Sequence, residues 1–316
     1  MMAELSLLTV DYEGPSGAAP KSFIAKYASR NPTNRDIARD YRLYERESRF
    51  ASELAPVIDV RTPEVFFSGL DGDRFLILME DLTDYQVGSQ VRGADLHQSE
   101  LAIDELAKLH SAFWGRVDQL SWVPTVSGSY HADNMRALSA IGIDGVAEKF
   151  PAVLANDIKQ HKQRYLDAIP VMQAWMQKEP VTLIHGDYRM ENLLYGCEPD
   201  HHPVVVLDWQ GPVLARGIVD VALFLAQSAT TEVRRRYEKS LLERYVDGLR
   251  AGGVKDLDPT SVWADYRRAI MFNWIYVVVV AGTLDISNQT AYLWMAEMVA
   301  RQTATSYDLD VFELIG

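Results

Sequence analysis

A short strand-rich segment, residues 181–209, interrupts a stretch of sequence that is otherwise typical of helices. Two apolar runs in this segment, residues 183–184 and residues 204–207, pass directly into polar residues. A strand that ends in this way presents the following side chains at the edge of a rigid scaffold, where ligands bind. We therefore expect a cleft that is lined by Asp187, Asn192 and Asp208.

These residue types are the ones that phosphoryl transfer requires. A carboxylate must accept or orient the proton of the attacking hydroxyl group, and oxygen ligands must hold Mg²⁺ on the nucleotide phosphates. Asp187 suits the first role, while Asn192 and Asp208 suit the second. Asp and Asn are also common in turns after strands, and a His-Gly-Asp tripeptide alone is a weak signal. The joint spacing of the two segments favours the catalytic interpretation.

The N-terminal part of the chain has a pattern of β-strands in pairs. Residues 4–12 and 22–28 predict one hairpin. Residues 64–70 and 74–80 predict a second hairpin, which turns at Asp71-Gly72-Asp73.

One helix is predicted between the two hairpins. Residues 34–54 keep helical spacing of apolar side chains, and Thr33 with Asp36 fits a capping box at the start. Together these patterns predict an α+β fold. A small β-rich lobe would comprise residues 1–81, and a large helical lobe would comprise residues 82–316.

Composition and charge exclude several classes of partner. The 316 residues include 31 Lys and Arg against 44 Asp and Glu, a formal net charge of −13, whereas nucleic-acid binding needs a basic face. Cys197 is the single cysteine, which suits a reducing cytoplasm. The most apolar run, residues 269–284, is shorter than the roughly 20 residues of a membrane-spanning helix. We expect a cytoplasmic protein without nucleic-acid or membrane partners, while the oligomeric state is not indicated.

Two motifs carry a resemblance to a known family. Residues 185–195 (HGDYRMENLLY) and residues 207–210 (LDWQ) resemble the aminoglycoside phosphotransferase and choline kinase-like superfamily. They are most similar to its ecdysteroid-kinase-like (CHK) and bacterial APH-type branches. The resemblance implies a bilobal protein-kinase-like fold, in which the lobe of residues 1–81 binds the nucleotide and the lobe of residues 82–316 carries the catalytic loop and the acceptor pocket. It also implies a kinase that transfers the γ-phosphoryl group of ATP or GTP, with Mg²⁺, to a hydroxyl group of a small molecule.

The same resemblance implies roles for individual residues. Asp187 would be the catalytic base, and His185 would brace its loop. Asn192 and Asp208 would be the Mg²⁺ ligands. Asp220 would support the loop through hydrogen bonds.

The resemblance extends into the N-terminal lobe. Lys26 matches the strand lysine that pairs with nucleotide phosphates, although a solvated lysine at a sheet edge would look the same in sequence. Its ion-pair partner on the following helix would be Glu47, with Glu45 as the competing candidate. The hinge that binds the nucleotide base through its backbone would include Glu80, Asp81 and Leu82.

The start of this lobe departs from the family pattern. Family members begin with two strands that enclose a loop covering the phosphates. Here the strand predicted at residues 4–12 would already be the second, so we expect a truncated lobe without the first strand and without that loop. Such a lobe would bind nucleotide more weakly and leave a bare sheet edge.

Two other functions remain open from the sequence alone. A catalytically impaired, kinase-like protein that binds a nucleotide or another ligand is consistent with the missing loop. A metal-dependent phosphohydrolase could use Asp187 and Asp208, but it would leave Lys26 without a role. The acceptor is also open among aminoglycoside, macrolide, choline-like, sugar and steroid hydroxyls. Aromatic residues of the C-terminal helices are expected mostly in the core, with some lining the acceptor pocket.

Overall fold

The computed structural model describes residues 2–15, 17, 19–72, 74–255, 257–286 and 288–315, and for residues 129–133 and 259–260 the backbone alone. The chain forms two compact units. The first comprises Met1–Gln86 and Leu194–Gly211, and the second comprises Val87–Leu193 and Pro212–Gly316. The predicted functional division between residues 81 and 82 stays a prediction.

A four-stranded antiparallel sheet forms the basis of the first unit. Its strand order is β1–β2–β4–β3, and the bounds are β1 Ala3–Thr9, β2 Ser22–Ala28, β3 Val65–Asp71 and β4 Arg74–Met79. Both hairpins lie where the sequence predicts them, with Asp73 of the second turn outside the described residues. Lys26 stands on a strand that is paired on both sides, opposite Leu5 on β1 and Ile77 on β4. This double pairing fixes the backbone that carries Lys26.

Strand β1 lies at one end of this sheet and exposes apolar side chains. Leu5 and Leu7 are 60% and 56% exposed, whereas Ala3 at the start of the strand is buried. Within the described residues, the sheet therefore has four strands and an apolar, exposed edge.

The single continuous helix predicted over residues 34–54 is wrong. Arg42 interrupts it, because its φ of 54° lies in the left-handed region that a helix cannot continue through. The segment consists of α1 Pro32–Asp40, α2 Leu43–Arg49, a π-helical turn Phe50–Leu54 and a 3₁₀ turn Ala55–Val57.

The predicted capping box at Thr33 and Asp36 is also wrong. Asn31 caps α1, since its side-chain oxygen accepts a hydrogen bond from the backbone N–H of Thr33 at 2.9 Å. Asp36 pairs instead with Arg39. Proline suits the first helical position, so Pro32 places the cap at Asn31, two residues earlier than the box requires.

Five further strands are short. They are β5 Gln86–Val87, β6 Thr182–Ile184, β7 Leu193–Tyr195, β8 Val204–Val206 and β9 Val213–Ala215. Strands β5, β7 and β8 form one sheet in that order, and β6 pairs antiparallel with β9. The strand-rich segment predicted at residues 181–209 is thus present, and β9 extends it.

The second unit is mostly helical. Its helices are α3 Leu96–Phe113, α4 Ser129–Lys149, α5 Asn156–Gln160, α6 Lys162–Gln177, α7 Ile218–Leu223, α8 Thr231–Ala251, α9 Pro259–Thr283 and α10 Gln289–Asp308. A π-helical turn Phe224–Ser228 extends α7, and a 3₁₀ turn Val311–Ile315 follows α10. The apolar run in α9 lies in the core, where Trp274, Val277 and Val278 are fully buried. None of the helices in the described ranges has the length and apolar character needed to cross a membrane.

Helices α4 and α9 meet at backbone contact through glycines. A β-carbon at Gly282 would lie 2.1 Å from the carbonyl oxygen of Gly142, and one at Gly145 would lie 2.2 Å from that of Gly282. Both distances are far below a van der Waals contact, and the clashing atoms are backbone atoms that cannot rotate away. Only glycine fits this crossing, which fixes the position of α9 in the second unit.

We expect Gly282→Ala to lower the free energy of unfolding by roughly 1–3 kcal/mol, the usual cost of overpacking. In a solvated helix the same change would instead stabilise by up to about 1 kcal/mol, because alanine has the higher helix propensity. The sign of the change in urea denaturation therefore tests the crossing. Thr283→Ala, at the exposed neighbouring position, is the control and should stay within about 0.5 kcal/mol of wild type. A more stable Gly282→Ala variant would contradict the close approach.

Candidate active site

Lys26 holds two carboxylates within the first unit. Its Nζ lies 2.5 Å from Oε1 of Glu47 on α2 and 2.6 Å from Oδ1 of Asp208, which follows β8. Only about a tenth of the Lys26 and Glu47 side chains is exposed. Glu45, the competing candidate, pairs instead with Arg42. Of the two acids that the sequence offers, the structure brings Glu47 to the lysine.

The cluster of Lys26, Glu47 and Asp208 has one more carboxylate than cations. Burial lowers the pKa of Lys26, but the charges of Glu47 and Asp208 outweigh burial and leave that pKa above its ordinary value. Burial raises the pKa of Glu47 to about 7, although the charge of Lys26 opposes this rise. Oε2 of Glu47 is buried without a hydrogen-bond partner in the described part of the chain. These shifts keep Lys26 positively charged between the two acids.

Asp208 has a strained backbone. Its φ of 62° lies in the left-handed region, which residues other than glycine seldom adopt. Its carboxylate accepts a hydrogen bond from Gln210 at 3.2 Å, and the ring of the adjacent Trp209 stacks on Phe50 at 3.9 Å between centroids. Strain of this kind persists where the surroundings over-determine a conformation, as they do at functional sites.

The side chains of the predicted hinge secure that segment. Arg61 donates to both carboxylate oxygens of Glu80, at 2.6 and 2.7 Å. The hydroxyl of Ser22 donates to Asp81 at 2.5 Å and holds the pKa of that carboxyl below its usual value, helped by Thr83. Leu82 belongs to a buried apolar cluster that also contains Leu194 and Val205, with Tyr85 and Leu207 packed against it. This cluster packs the predicted hinge against strands β7 and β8.

Asp220 anchors the loop that carries Asp187, within the second unit. Strand β6 ends at Ile184, and the next two backbone N–H groups, of His185 and Gly186, donate to the Asp220 carboxylate at 2.6 and 3.1 Å. Nδ1 of His185 accepts a hydrogen bond from the backbone N–H of Asp187 at 3.2 Å. The φ of 80° at Gly186 makes this tight turn possible.

His110 supports Asp220 from behind. It is fully buried on α3, with Nε2 at 3.4 Å from Asp220 and Nδ1 at 2.9 Å from the hydroxyl of Tyr245. The histidine is therefore a hydrogen-bonded core residue, as expected for a polar group with no access to water.

Asn192 is held directly against Asp187. Its Nδ2 donates to the backbone oxygen of Asp187 at 2.7 Å and to the carboxylate Oδ2 at 3.2 Å. A 3₁₀ turn, Met190–Asn192, produces this approach. Since the amide nitrogen is engaged with Asp187, the amide oxygen remains as the group that can bind a cation.

Two contacts to Asp187 come from residues that the sequence did not assign to catalysis. The hydroxyl of Tyr276 on α9 donates to Oδ1 of Asp187. Burial, together with the charge of Asp187, raises the pKa of this phenol well above its ordinary value, so it remains a hydrogen-bond donor. Nε of Arg189 lies 3.2 Å from the same Oδ1. Arg189 follows the motif aspartate by two residues, which is the only sequence signal for it.

Trp294 on α10 supports Arg189. The guanidinium carbon lies 5.0 Å from the centre of the indole ring, within the range of a cation–π contact. Arg189 also pairs with Glu191 at 2.8 Å. Nothing in the sequence links Tyr276 or Trp294 to the motif, because both lie more than eighty residues downstream.

Two adjacent histidines, His201 and His202, follow β7, and their surroundings do not resemble a metal centre. His201 stacks on Tyr85 at 4.1 Å and lies 3.3 Å from Asp84, and the thiol of Cys197 donates to the backbone oxygen of Asp84. In the described ranges, no group of three or more His, Cys, Asp or Glu side chains is placed to hold a metal ion. A magnesium site with one carboxylate and one amide ligand does not need such a group.

The candidate residues divide between the two units. Lys26, Glu47, Asp208 and the hinge residues belong to the first unit, whereas His185, Asp187, Asn192 and Asp220 belong to the second. Within each unit the structure brings its own set together.

Comparisons with known proteins agree on the fold. The chain is similar to wild-type aminoglycoside 2′-phosphotransferase-IIIa, solved as a GDP complex, with 14% identity and a TM-score of 0.56 over 95% of this chain and 93% of that chain. It is also similar to aminoglycoside phosphotransferase APH(3″)-Id from Streptomyces rimosus, with 17% identity and a TM-score of 0.50 over 85% of this chain and 90% of that chain. These similarities confirm the predicted kinase-like α+β fold. No curated protein sequence matches the chain.

The family itself is shown by a match over most of the sequence. The family model of the ecdysteroid kinase-like family matches residues 1–257, which include both motifs and Lys26. The chain therefore belongs to the ecdysteroid kinase-like family and is a phosphotransferase of the small-molecule kinase type.

Proposed function

We propose that this phosphotransferase transfers the γ-phosphoryl group of ATP to a hydroxyl group of a small molecule, with Mg²⁺ as cofactor and Asp187 as the general base. The observation that carries the proposal is the Asp187 loop. Asn192 and Asp220 fix this loop, yet the Asp187 side chain is still 21% exposed and can meet a substrate. The Lys26 cluster of the other unit supports the nucleotide-binding part.

Lys26 is the proposed ligand of the nucleotide phosphates. An ammonium group has three donors, and Glu47 and Asp208 use two of them. The third donor is available for a phosphate oxygen. The backbone of Glu80, Asp81 and Leu82 is proposed to bind the edge of the base, which the apolar cluster around Leu82 would cover. GTP is the alternative donor, and a competition experiment between the two nucleotides would decide.

Asn192 and Asp208 are the proposed protein ligands of Mg²⁺. This ion usually takes one or two oxygen ligands from the protein and completes its octahedron with phosphates and water. The amide oxygen of Asn192 and the carboxylate of Asp208 match that donor set. When bound, Mg²⁺ would neutralise charge on the phosphates during transfer.

Asp187 is proposed to accept the proton of the acceptor hydroxyl as that oxygen attacks the γ-phosphorus. The bond from the phosphorus to the leaving ADP breaks in the same step. Asn192, His185 and Asp220 would not touch the acceptor. They would keep the carboxylate and its loop in place, so that little conformational entropy is lost when the hydroxyl attacks.

The helix that contacts Asp187 favours an apolar acceptor. From Ala269 to its C-terminal end, α9 contains no charged residue. Val279 and Val280 follow Tyr276 within about one turn and are partly exposed. A ligand that contacts this face of α9 next to Asp187 would therefore meet aliphatic side chains.

The acids next to Asp187 share one cation. Arg189 pairs with Glu191 at 2.8 Å and also contacts Asp187. The aliphatic side chains of α9 beside these groups suit an uncharged scaffold. We therefore propose a hydroxyl on a largely apolar, uncharged scaffold such as a sterol, which also agrees with the name of the family.

ADP release from Mg-ATP in the presence of a panel of alcohols tests the function. We expect steroid alcohols to accelerate ADP release and kanamycin and choline not to do so. Removing the metal with EDTA should lower the rate at least about 100-fold, and added Mg²⁺ should restore it, because the transferring phosphates need charge neutralisation.

Two outcomes would contradict this function. Undiminished turnover in EDTA would exclude the metal role of Asn192 and Asp208. Thermal unfolding that Mg-ATP does not shift, together with no ADP release on any acceptor, would favour the catalytically impaired binding protein.

A further inference from the structure

Tyr276 and Trp294 lie outside the region that matches the family, which ends at residue 257. Nevertheless, α9 and α10 reach the catalytic loop through these two side chains. Tyr276 contacts Asp187 itself, and Trp294 contacts Arg189, which also contacts Asp187. The C-terminal helices therefore take part in the arrangement of the loop.

The Asp187 carboxylate receives a donor on each oxygen. Oδ1 accepts from the hydroxyl of Tyr276, and Oδ2 accepts from Nδ2 of Asn192 at 3.2 Å. Nε of Arg189 lies between them, at 3.2 Å from Oδ1 and 3.4 Å from Oδ2. Rotation of the carboxylate about its Cβ–Cγ bond would break or lengthen all three contacts. The two oxygens together have four lone pairs and face three donor groups, so one lone pair remains for an acceptor hydroxyl.

We propose that Tyr276 is a positioning residue that orients the Asp187 carboxylate for proton acceptance, and that Trp294 assists by holding Arg189 against the same carboxylate. The inference rests on the proposed role of Asp187 as the base. Asn192 alone is the donor expected from the motif, and it restrains only Oδ2. Oδ1 is restrained by Tyr276 of α9 together with Arg189.

The position of α9 suits it for this task. Gly282, where α9 meets the backbone of α4, lies six residues after Tyr276, about 9 Å along the helix axis. An element that is fixed by backbone contact holds its side chains with little freedom, so little entropy is lost when the hydrogen bond to Asp187 forms.

A tyrosine that only fills the core is the competing interpretation. Tyr266 provides the comparison within the same helix, since its buried hydroxyl also lies near a carboxylate, that of Glu238 at 3.4 Å. It lies ten residues before Tyr276, about 15 Å along the axis. Tyr276→Phe and Tyr266→Phe thus remove the same group from the same helix, but only the first removes a contact to Asp187.

The test measures ADP release by the full chain with Mg-ATP and water as the acceptor, so that no unidentified ligand is needed. We expect Tyr276→Phe to lower kcat about 10- to 100-fold, the range that corresponds to one hydrogen bond to a charged group. KM for ATP and the unfolding temperature should stay close to wild type. Tyr266→Phe should retain kcat within about two-fold. Trp294→Leu, at a partly exposed position, should reduce kcat with KM for ATP unchanged.

The outcomes separate this inference from the proposed function. If Asp187→Asn is inactive and Tyr276→Phe has wild-type kcat, the positioning role is wrong while the base assignment stands. If Tyr276→Phe lowers kcat only as far as Tyr266→Phe does, or if it does not fold and Trp294→Leu has wild-type kcat, the positioning role is also wrong. If Asp187→Asn keeps wild-type turnover, the proposed base is wrong.

Discussion

Asp187→Asn is expected to lower kcat about 10³-fold while the protein remains folded and binds ATP. A positioned general base contributes typically 10²- to 10⁴-fold, and asparagine cannot accept the proton. The substitution keeps the size of the side chain. Its amide oxygen can accept the hydrogen bond from Asn192, and its amide nitrogen can donate to the hydroxyl oxygen of Tyr276. KM for ATP should therefore change less than about two-fold, because Asp187 is not proposed to bind the nucleotide. Steady-state ADP release and thermal unfolding with Mg-ATP measure the two effects.

The control for this variant is Asp144→Asn. Asp144 lies in the same compact unit and pairs with Lys162 at 2.7 Å, but its side chain is 73% exposed. The loss of one charge at such a site should leave kcat unchanged. Wild-type turnover by Asp187→Asn would mean that another group accepts the proton. A large decrease in the unfolding temperature would mean that the substitution disrupts the folding of the loop rather than the proton transfer.

The sequence predicted elements that are defined by local patterns. Short strand-like runs separated by turn residues gave both hairpins of the first sheet, because strand composition and the Asp-Gly turn are local properties. The family match confirms the resemblance that residues 185–195 and 207–210 indicated. The catalytic roles of Asp187, Asn192 and Asp208 stay proposals. Asp187 and Asp208 follow strands β6 and β8, as the local rule that an apolar strand passes into polar residues predicts. Asn192 instead lies in a 3₁₀ turn before β7.

Local sequence patterns do not predict contacts between distant parts of the chain. The hydrogen bond from Tyr276 to Asp187 spans 89 residues, and no periodicity or spacing connects the two. In sequence, Tyr276 lies within an apolar run that indicates only a core helix. The break at Arg42 was missed for a related reason. Arginine has good helix propensity, and a left-handed φ at such a residue depends on packing rather than on local preference.

Lys26→Met is expected to lower kcat/KM for ATP about 10²- to 10³-fold, the effect of removing one preorganised donor from a site of developing charge. It should also destabilise the first unit. Removing one partner of a buried ion pair costs roughly 3–5 kcal/mol, because the other partner is left buried without compensation. Here part of that cost is avoided, since burial already raises the pKa of Glu47 to about 7 and the loss of Lys26 raises that pKa further.

This uptake of a proton by Glu47 gives the destabilisation a defined pH dependence. A carboxyl whose pKa is raised in the folded state binds protons more tightly there than in the unfolded chain, so folding stability falls as pH rises above the ordinary value of 4.5. Lys26→Met should therefore be less stable at pH 8 than at pH 6 in urea denaturation. The double variant Lys26→Met with Glu47→Gln removes both charges, and it should regain stability and lose this pH dependence without regaining activity. Recovery of turnover in the double variant would show that Lys26 serves only to neutralise Glu47, and a pH-independent single variant would show that Glu47 does not take up the proton.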